Sequence, residues 1–69
     1  MNETERKKMY HALRNMILRY RKNGKTDQVA IGSFAYEMGM PKRDVEEMYQ
    51  ILLDSERIPR EIQPENQGV

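Results

Sequence analysis

The sequence predicts a small all-α domain of three helices, and two features of the chain lead to this prediction. Apolar residues recur at helical spacing within residues 9–20 and 45–52, as in helices that bury one face. Glycine and proline residues separate these segments where helices would end or begin. The 69 residues suffice for one domain, and residues 59–69 are predicted to form a flexible tail.

The first helix is predicted over about residues 4–22. Asn2 and Glu5 have the spacing of a capping box, in which each side chain accepts a hydrogen bond from the other residue's backbone N–H. Gly24 follows the helix and fits its end, because glycine adopts the left-handed conformation that follows many helices. The buried face is predicted to consist of apolar residues at helical spacing: Met9, Leu13, Met16, Ile17 and Tyr20.

A connector is predicted over residues 25–32. Within it, residues 29–31 form an apolar run that fits either a very short strand or an extended approach to the next helix, and so short a run does not decide between them. The second helix is predicted over residues 33–38, with Gly32 or Ser33 as its N-cap.

The third helix is predicted over about residues 41–55, after a break at Gly39. Pro41 fits its first turn, because the N–H that proline lacks would have no partner there. The inward face is predicted to consist of Val45, Met48, Tyr49 and Leu52. These three helices define a predicted domain over residues 1–58.

Three residues indicate that the second and third helices cross closely. Ala35 is small where the third helix would cross the second, and Gly39 tolerates the positive φ of a tight turn. Val45, ten positions after Ala35, is a branched apolar anchor. Residues 31–50 therefore resemble the twenty-residue helix-turn-helix of bacterial regulators, which also has apolar residues at the positions of 34, 38, 40 and 48.

The long first helix and the apolar residues that follow the third make the chain similar to winged-helix proteins in particular, over roughly residues 5–58. The family normally continues into a β-hairpin, the wing. Only about ten residues remain here, including Pro59 and Pro64, so we expect no full wing. The resemblance implies a non-enzymatic transcription regulator that binds double-stranded DNA.

The resemblance also implies which outward residues of the third helix contact base edges: Lys42, Arg43, Glu46, Glu47 and Gln50. Lysine and arginine suit guanine, glutamine suits adenine, and glutamate accepts from cytosine. The two glutamates and Asp54 repel DNA phosphates, which supply most of the nonspecific affinity. An ordinary solvated helix face is therefore an equally good explanation of this surface.

Charge is distributed unevenly, although the net charge is only +1. Residues 1–25 contain eight basic and two acidic residues, whereas residues 26–69 contain four basic and nine acidic ones. The basic half fits phosphate or an acidic protein partner, and the alternative is a solvated face that keeps a small protein soluble. The candidate contact residues are Lys7, Lys8, Arg14, Arg19, Lys22 and Lys25.

We predict that the regulator acts as a homodimer, because one such module contacts too few base pairs to be selective. Apolar residues predicted to be exposed, which could form the interface, are Tyr10, Leu18, Tyr36 and Ile51. The alternative is a protein-binding modulator of the co-repressor or anti-repressor type, such as phages and mobile elements encode. It would act on another transcription factor or RNA polymerase. A weaker option is a nucleoid or replication accessory protein without sequence preference.

Other classes of function lack the residues they need. The chain has no cysteine, and its single histidine, His11, has no partner at metal-ligand spacing. We expect no catalytic residues, metal, cofactor or small-molecule substrate. No apolar run is long enough to span a membrane, and the acidic N-terminal segment is not a signal peptide. A cytoplasmic protein is therefore expected.

Overall fold

A computed structural model describes residues 2–60 of the chain, and these residues form three α-helices and no strand. Helix α1 spans Glu3–Lys22, α2 spans Asp27–Met38 and α3 spans Lys42–Asp54. The prediction of an all-α, three-helix domain is therefore confirmed. Most of the predicted tail, residues 61–69, lies outside the described part of the chain.

Helix α1 begins and ends as its sequence predicts. The backbone N–H of Glu5 donates to Asn2 Oδ1 at 2.8 Å, and the N–H of Asn2 donates to Glu5 Oε1 at 3.2 Å, which completes the capping box. Gly24 follows the helix with a φ of 77°. The N–H of Lys25 then donates to the carbonyl of Tyr20 at 2.9 Å, which satisfies an acceptor of the last turn.

Helix α2 begins six residues earlier than the predicted start at residue 33, so the prediction of a connector over residues 25–32 is wrong. Thr26 is the N-cap, and its hydroxyl accepts a hydrogen bond from the N–H of Val29 at 3.3 Å. Residues 29–31 are helical, and Gly32 and Ser33 lie inside the helix. The early start places these side chains together on the buried face: Asp27, Ala30, Ile31, Phe34 and Ala35.

The turn between α2 and α3 has the predicted geometry. Gly39 has a φ of 65°, and the N–H of Met40 donates to the carbonyl of Ala35 at 3.0 Å. Ala35 and Val45 are both buried, as the close crossing requires. Pro41 is the N-cap of α3 and precedes the helix, so the prediction that it lies in the first turn is wrong by one residue.

The core takes side chains from all three helices and from the segment after α3. Its largest fully buried aliphatic residues are Leu13, Ile17, Ile31, Val45, Leu52 and Ile58. Tyr10 and Leu18 pack against this core and are half-buried, so the prediction that they are exposed is wrong. Tyr36 and Ile51 are exposed as predicted.

The segment after α3 folds back against α1. Glu56 has a φ of 60°, and the N–H of Arg57 donates to the carbonyl of Leu52 at 2.9 Å, which reverses the chain direction. Arg14 Nε of α1 donates to the carbonyl of Arg57 at 3.0 Å. This contact holds the turn in place while Ile58 enters the core.

Candidate nucleic-acid interface

The outer face of α3 carries all five residues predicted to contact bases. Each of them is exposed: Lys42, Arg43, Glu46, Glu47 and Gln50. The two cations lie in the first turn of the helix, and the acidic residues follow them along the same exposed surface. Gln50 Nε2 donates to Asp54 Oδ1 at 3.0 Å, so part of the amide's hydrogen-bonding capacity is already used.

The two cations of this face form no ion pair with a carboxylate among residues 2–60. The ion pairs found within residues 2–60 join Arg21 to Asp27 and Arg60 to Asp54. Lys42 and Arg43 take part in neither pair. Their charges are therefore available to an external acceptor such as a base edge, a phosphate or a carboxylate.

A buried polar network fixes α2 and α3 in position. Arg21 Nε of α1 donates to Asp27 Oδ1 at 2.8 Å, and Arg21 Nη2 donates to Asp27 Oδ2 at 2.6 Å. The hydroxyl of Tyr49 on α3 donates to Asp27 Oδ2 at 2.7 Å. Asp27 is 1% exposed, so these partners satisfy a carboxylate that burial would otherwise destabilise.

The network also changes the acidity of Asp27. Burial alone raises the pKa of this carboxyl group, because it disfavours the charged form. The hydrogen bonds from Arg21 and Tyr49 and the charge of Arg21 favour the ionised form and outweigh burial, so the pKa lies below its ordinary value of 3.8. Arg21 is one of the eight basic residues within residues 1–25, and its charge alone does not predict this role. An acidic residue directly after Thr26 was the signal that could have indicated it.

The six predicted phosphate contacts of the N-terminal half do not form one patch. Five are exposed, whereas Arg14 is half-buried against the turn after α3. Helical spacing places Lys7 and Arg14 along one edge of α1 and Lys8 and Arg19 along the other, about a third of a turn apart, with Lys22 between them. The ammonium group of Lys25 lies 6.0 Å from the centre of the Tyr20 ring, within cation–π distance.

A groove with a volume of about 550 Å³ lies between α1 and the turn after α3. Its lining combines cationic, aromatic and apolar side chains: Lys7, Tyr10, His11, Arg14, Leu52, Glu56 and Arg57. Lys7 and Arg14 were predicted to bind anions. Arg57 was not, because its place beside them depends on the fold-back of the segment after α3.

Residues 2–60 bring no group of three or more histidine, cysteine, aspartate or glutamate side chains together where they could hold a metal ion. Within the same residues, no helix has both the length and the apolar character needed to cross a membrane.

Comparison with known proteins finds no matching family model, no matching curated protein and no matching solved structure.

Proposed function

We propose that this chain is a non-enzymatic transcription regulator that binds double-stranded DNA through α3, as a homodimer in the cytoplasm. The observation that supports this best is the tight turn at Gly39 followed by α3, a helix whose outer face is exposed and carries two cations in its first turn. In helix-turn-helix proteins, residues near the start of the recognition helix contact base edges in the major groove. Lys42 and Arg43 occupy that part of α3.

Two exposed polar residues of α3 then have a role in contacting bases. The guanidinium of Arg43 donates two hydrogen bonds to guanine, and the amide of Gln50 pairs with adenine once it leaves Asp54. Basic residues on one edge of α1 contact phosphates. Because its two edges face different directions, only one of them lies against a duplex bound by α3.

The outer face of α2 is the candidate interface of the homodimer. Val29 is 49% exposed and Tyr36 is 89% exposed, and the small residues Gly32 and Ser33 lie between them on the same face. In an antiparallel pair of α2 helices, Val29 of one copy would meet Tyr36 of the other, and the small residues would allow close approach.

Sedimentation equilibrium of two variants tests this interface. Tyr36→Glu should convert dimers to monomers, whereas Gln50→Glu, which makes the same charge change on α3, should not.

A second candidate function is a modulator that binds another regulatory protein. The exposed surface of α3 favours it, because carboxylates outnumber cations there: Asp44, Glu46, Glu47 and Asp54. Such a surface repels phosphate and suits a basic partner. In this function α3 contacts protein, and DNA binding is absent.

Duplex binding at several salt concentrations tests the proposal. A duplex would first be selected from a random pool with the wild-type protein. Its affinity should fall by roughly one unit of log–log slope for each phosphate contact as salt rises. Failure of micromolar protein to bind any duplex at low salt would contradict the proposal and favour the modulator.

A matched pair of arginine variants tests the role of α3. Arg43→Ala should reduce the preference for the selected duplex over a random one by roughly fivefold to a hundredfold. Arg6→Ala removes the same charge from an exposed side chain near the start of α1 that forms no ion pair among residues 2–60, and it should leave that preference unchanged. Equal losses in the two variants would count against base contact by Arg43.

A further inference from the structure

A second basic surface lies near the C-terminal end of α3, in the groove between α1 and the following turn. The thirteen residues of α3 give the helix a length of roughly 20 Å, so this groove is well separated from Lys42 and Arg43 in the first turn. A ligand in the groove would therefore leave Lys42 and Arg43 accessible.

The groove combines positive charge with an apolar floor. Three lysine and arginine side chains line it, Lys7, Arg14 and Arg57, against the single carboxylate of Glu56. Leu52 also lines the groove but is only 1% exposed, so the half-buried ring of Tyr10 supplies the apolar surface that a ligand can reach. This combination suits a ligand that carries both carboxylates and an apolar group.

Arg14 is held in place before any ligand binds. Its Nε donates to the carbonyl of Arg57, and among residues 2–60 its two terminal nitrogens have no hydrogen-bond partner. A guanidinium fixed in this way loses little conformational entropy when the remaining N–H groups bind a carboxylate. The bond that secures the turn after α3 thus also orients a donor within the groove.

We propose that this groove binds an acidic peptide segment of a partner protein. An apolar side chain of the peptide packs on the ring of Tyr10, and flanking carboxylates bind Lys7, Arg14 and Arg57. A DNA duplex suits the groove less well, because its backbone offers phosphates and sugars but no projecting apolar side chain that could enter the groove. The volume of about 550 Å³ fits a few side chains of a peptide.

Fluorescence anisotropy with short labelled peptides tests this proposal. The probe is Glu-Glu-Leu-Glu-Glu, and the controls are Gln-Gln-Leu-Gln-Gln, which lacks charge, and Glu-Glu-Ser-Glu-Glu, which lacks the apolar group. The probe should bind more tightly than either control. Lys7→Glu and Arg57→Glu should each raise its Kd by about five- to tenfold.

Lys8→Glu is the matched control, because it makes the same charge change on the other edge of α1 and should raise the Kd by less than about twofold. Circular dichroism checks that each variant is folded. Equal effects of Lys7→Glu and Lys8→Glu would overturn the proposal, since they would indicate only general charge attraction. Equal binding of the leucine and serine peptides would also overturn it. So would NMR spectra in which the backbone amide signals of the groove residues shift when a duplex is added but not when the probe is added.

Discussion

The hydroxyl of Tyr49 on α3 donates a 2.7 Å hydrogen bond to the carboxylate of Asp27 in the first turn of α2. Arg21 of α1 pairs with the same carboxylate, so one buried acidic side chain joins all three helices. Because these contacts connect α2 and α3 far from the turn at Gly39, they help to set the angle at which α3 presents its outer face. Stability and the proposed DNA-binding geometry therefore depend on the same network.

Tyr49→Phe should lower the free energy of unfolding by about 1–2 kcal/mol, because it removes a hydrogen bond to a buried, charged acceptor. Tyr36→Phe removes the same atom from a side chain that is 89% exposed and should change stability by less than about 0.5 kcal/mol. Urea unfolding of the two variants measures both values. A loss no larger for Tyr49→Phe than for Tyr36→Phe would contradict a stabilising role of the network.

Asp27 should make stability fall at acidic pH. Its pKa in the folded protein lies below the ordinary value of 3.8, so the unfolded chain takes up a proton at a higher pH than the folded protein does. The stabilising contribution is complete above 3.8 and is lost as the pH falls through the folded-state pKa. An NMR titration of the Asp27 carboxyl carbon should give a midpoint below 3.8, and Tyr49→Phe should raise it. A wild-type midpoint at or above 3.8 would contradict this.

The early start of α2 shows where sequence reasoning failed. Residues 29–31 are apolar and partly β-branched, and Gly32 follows them, a pattern that also fits extended chain. The structure instead caps the helix with Thr26 and buries one side of it. Intrinsic preference was weak here, so the gain from burying Ile31 beside Phe34 decided the conformation.

The two glycines of α2 and its turn should respond oppositely to alanine. Gly39 has a φ of 65°, so Gly39→Ala should destabilise the protein by about 1–2 kcal/mol although no atom crowds the new Cβ. Gly32 lies within the helix with open space around its Cβ, and Gly32→Ala should stabilise the monomer by up to about 1 kcal/mol. Chemical denaturation measures both changes. If both substitutions destabilised the protein to a similar extent, the positive φ of Gly39 would not be the reason that Gly39→Ala is destabilising.

Glycine should be favourable at position 56 and unfavourable at position 47. Glu56 has a φ of 60°, and this left-handed conformation is unfavourable for any residue that has a Cβ atom. Glu56→Gly should therefore stabilise the fold by about 0.5–1 kcal/mol. Glu47→Gly removes the same side chain from within α3 and should destabilise it by about 1 kcal/mol. Thermal unfolding compares the two variants. A lower melting temperature for Glu56→Gly than for wild type would contradict the expected relief of strain.

Local sequence signals predicted more of the fold than of the candidate site. The turn at Gly39, the small Ala35 and the buried Val45 follow from spacing along the chain, and the structure confirms them. The groove could not be predicted in this way, because Arg14 and Arg57 are separated by 43 positions. Their contact depends on the packing of all three helices, which no local pattern encodes.

The measurement that tests the role of α3 most directly is the ¹H–¹⁵N NMR spectrum of the protein with a duplex selected from a random pool. Base contact by α3 predicts that the largest changes occur at residues 42–50, including the side-chain signals of Arg43 and Gln50. Spectral changes limited to α1, or none at saturating duplex and low salt, would contradict the proposal that α3 binds DNA.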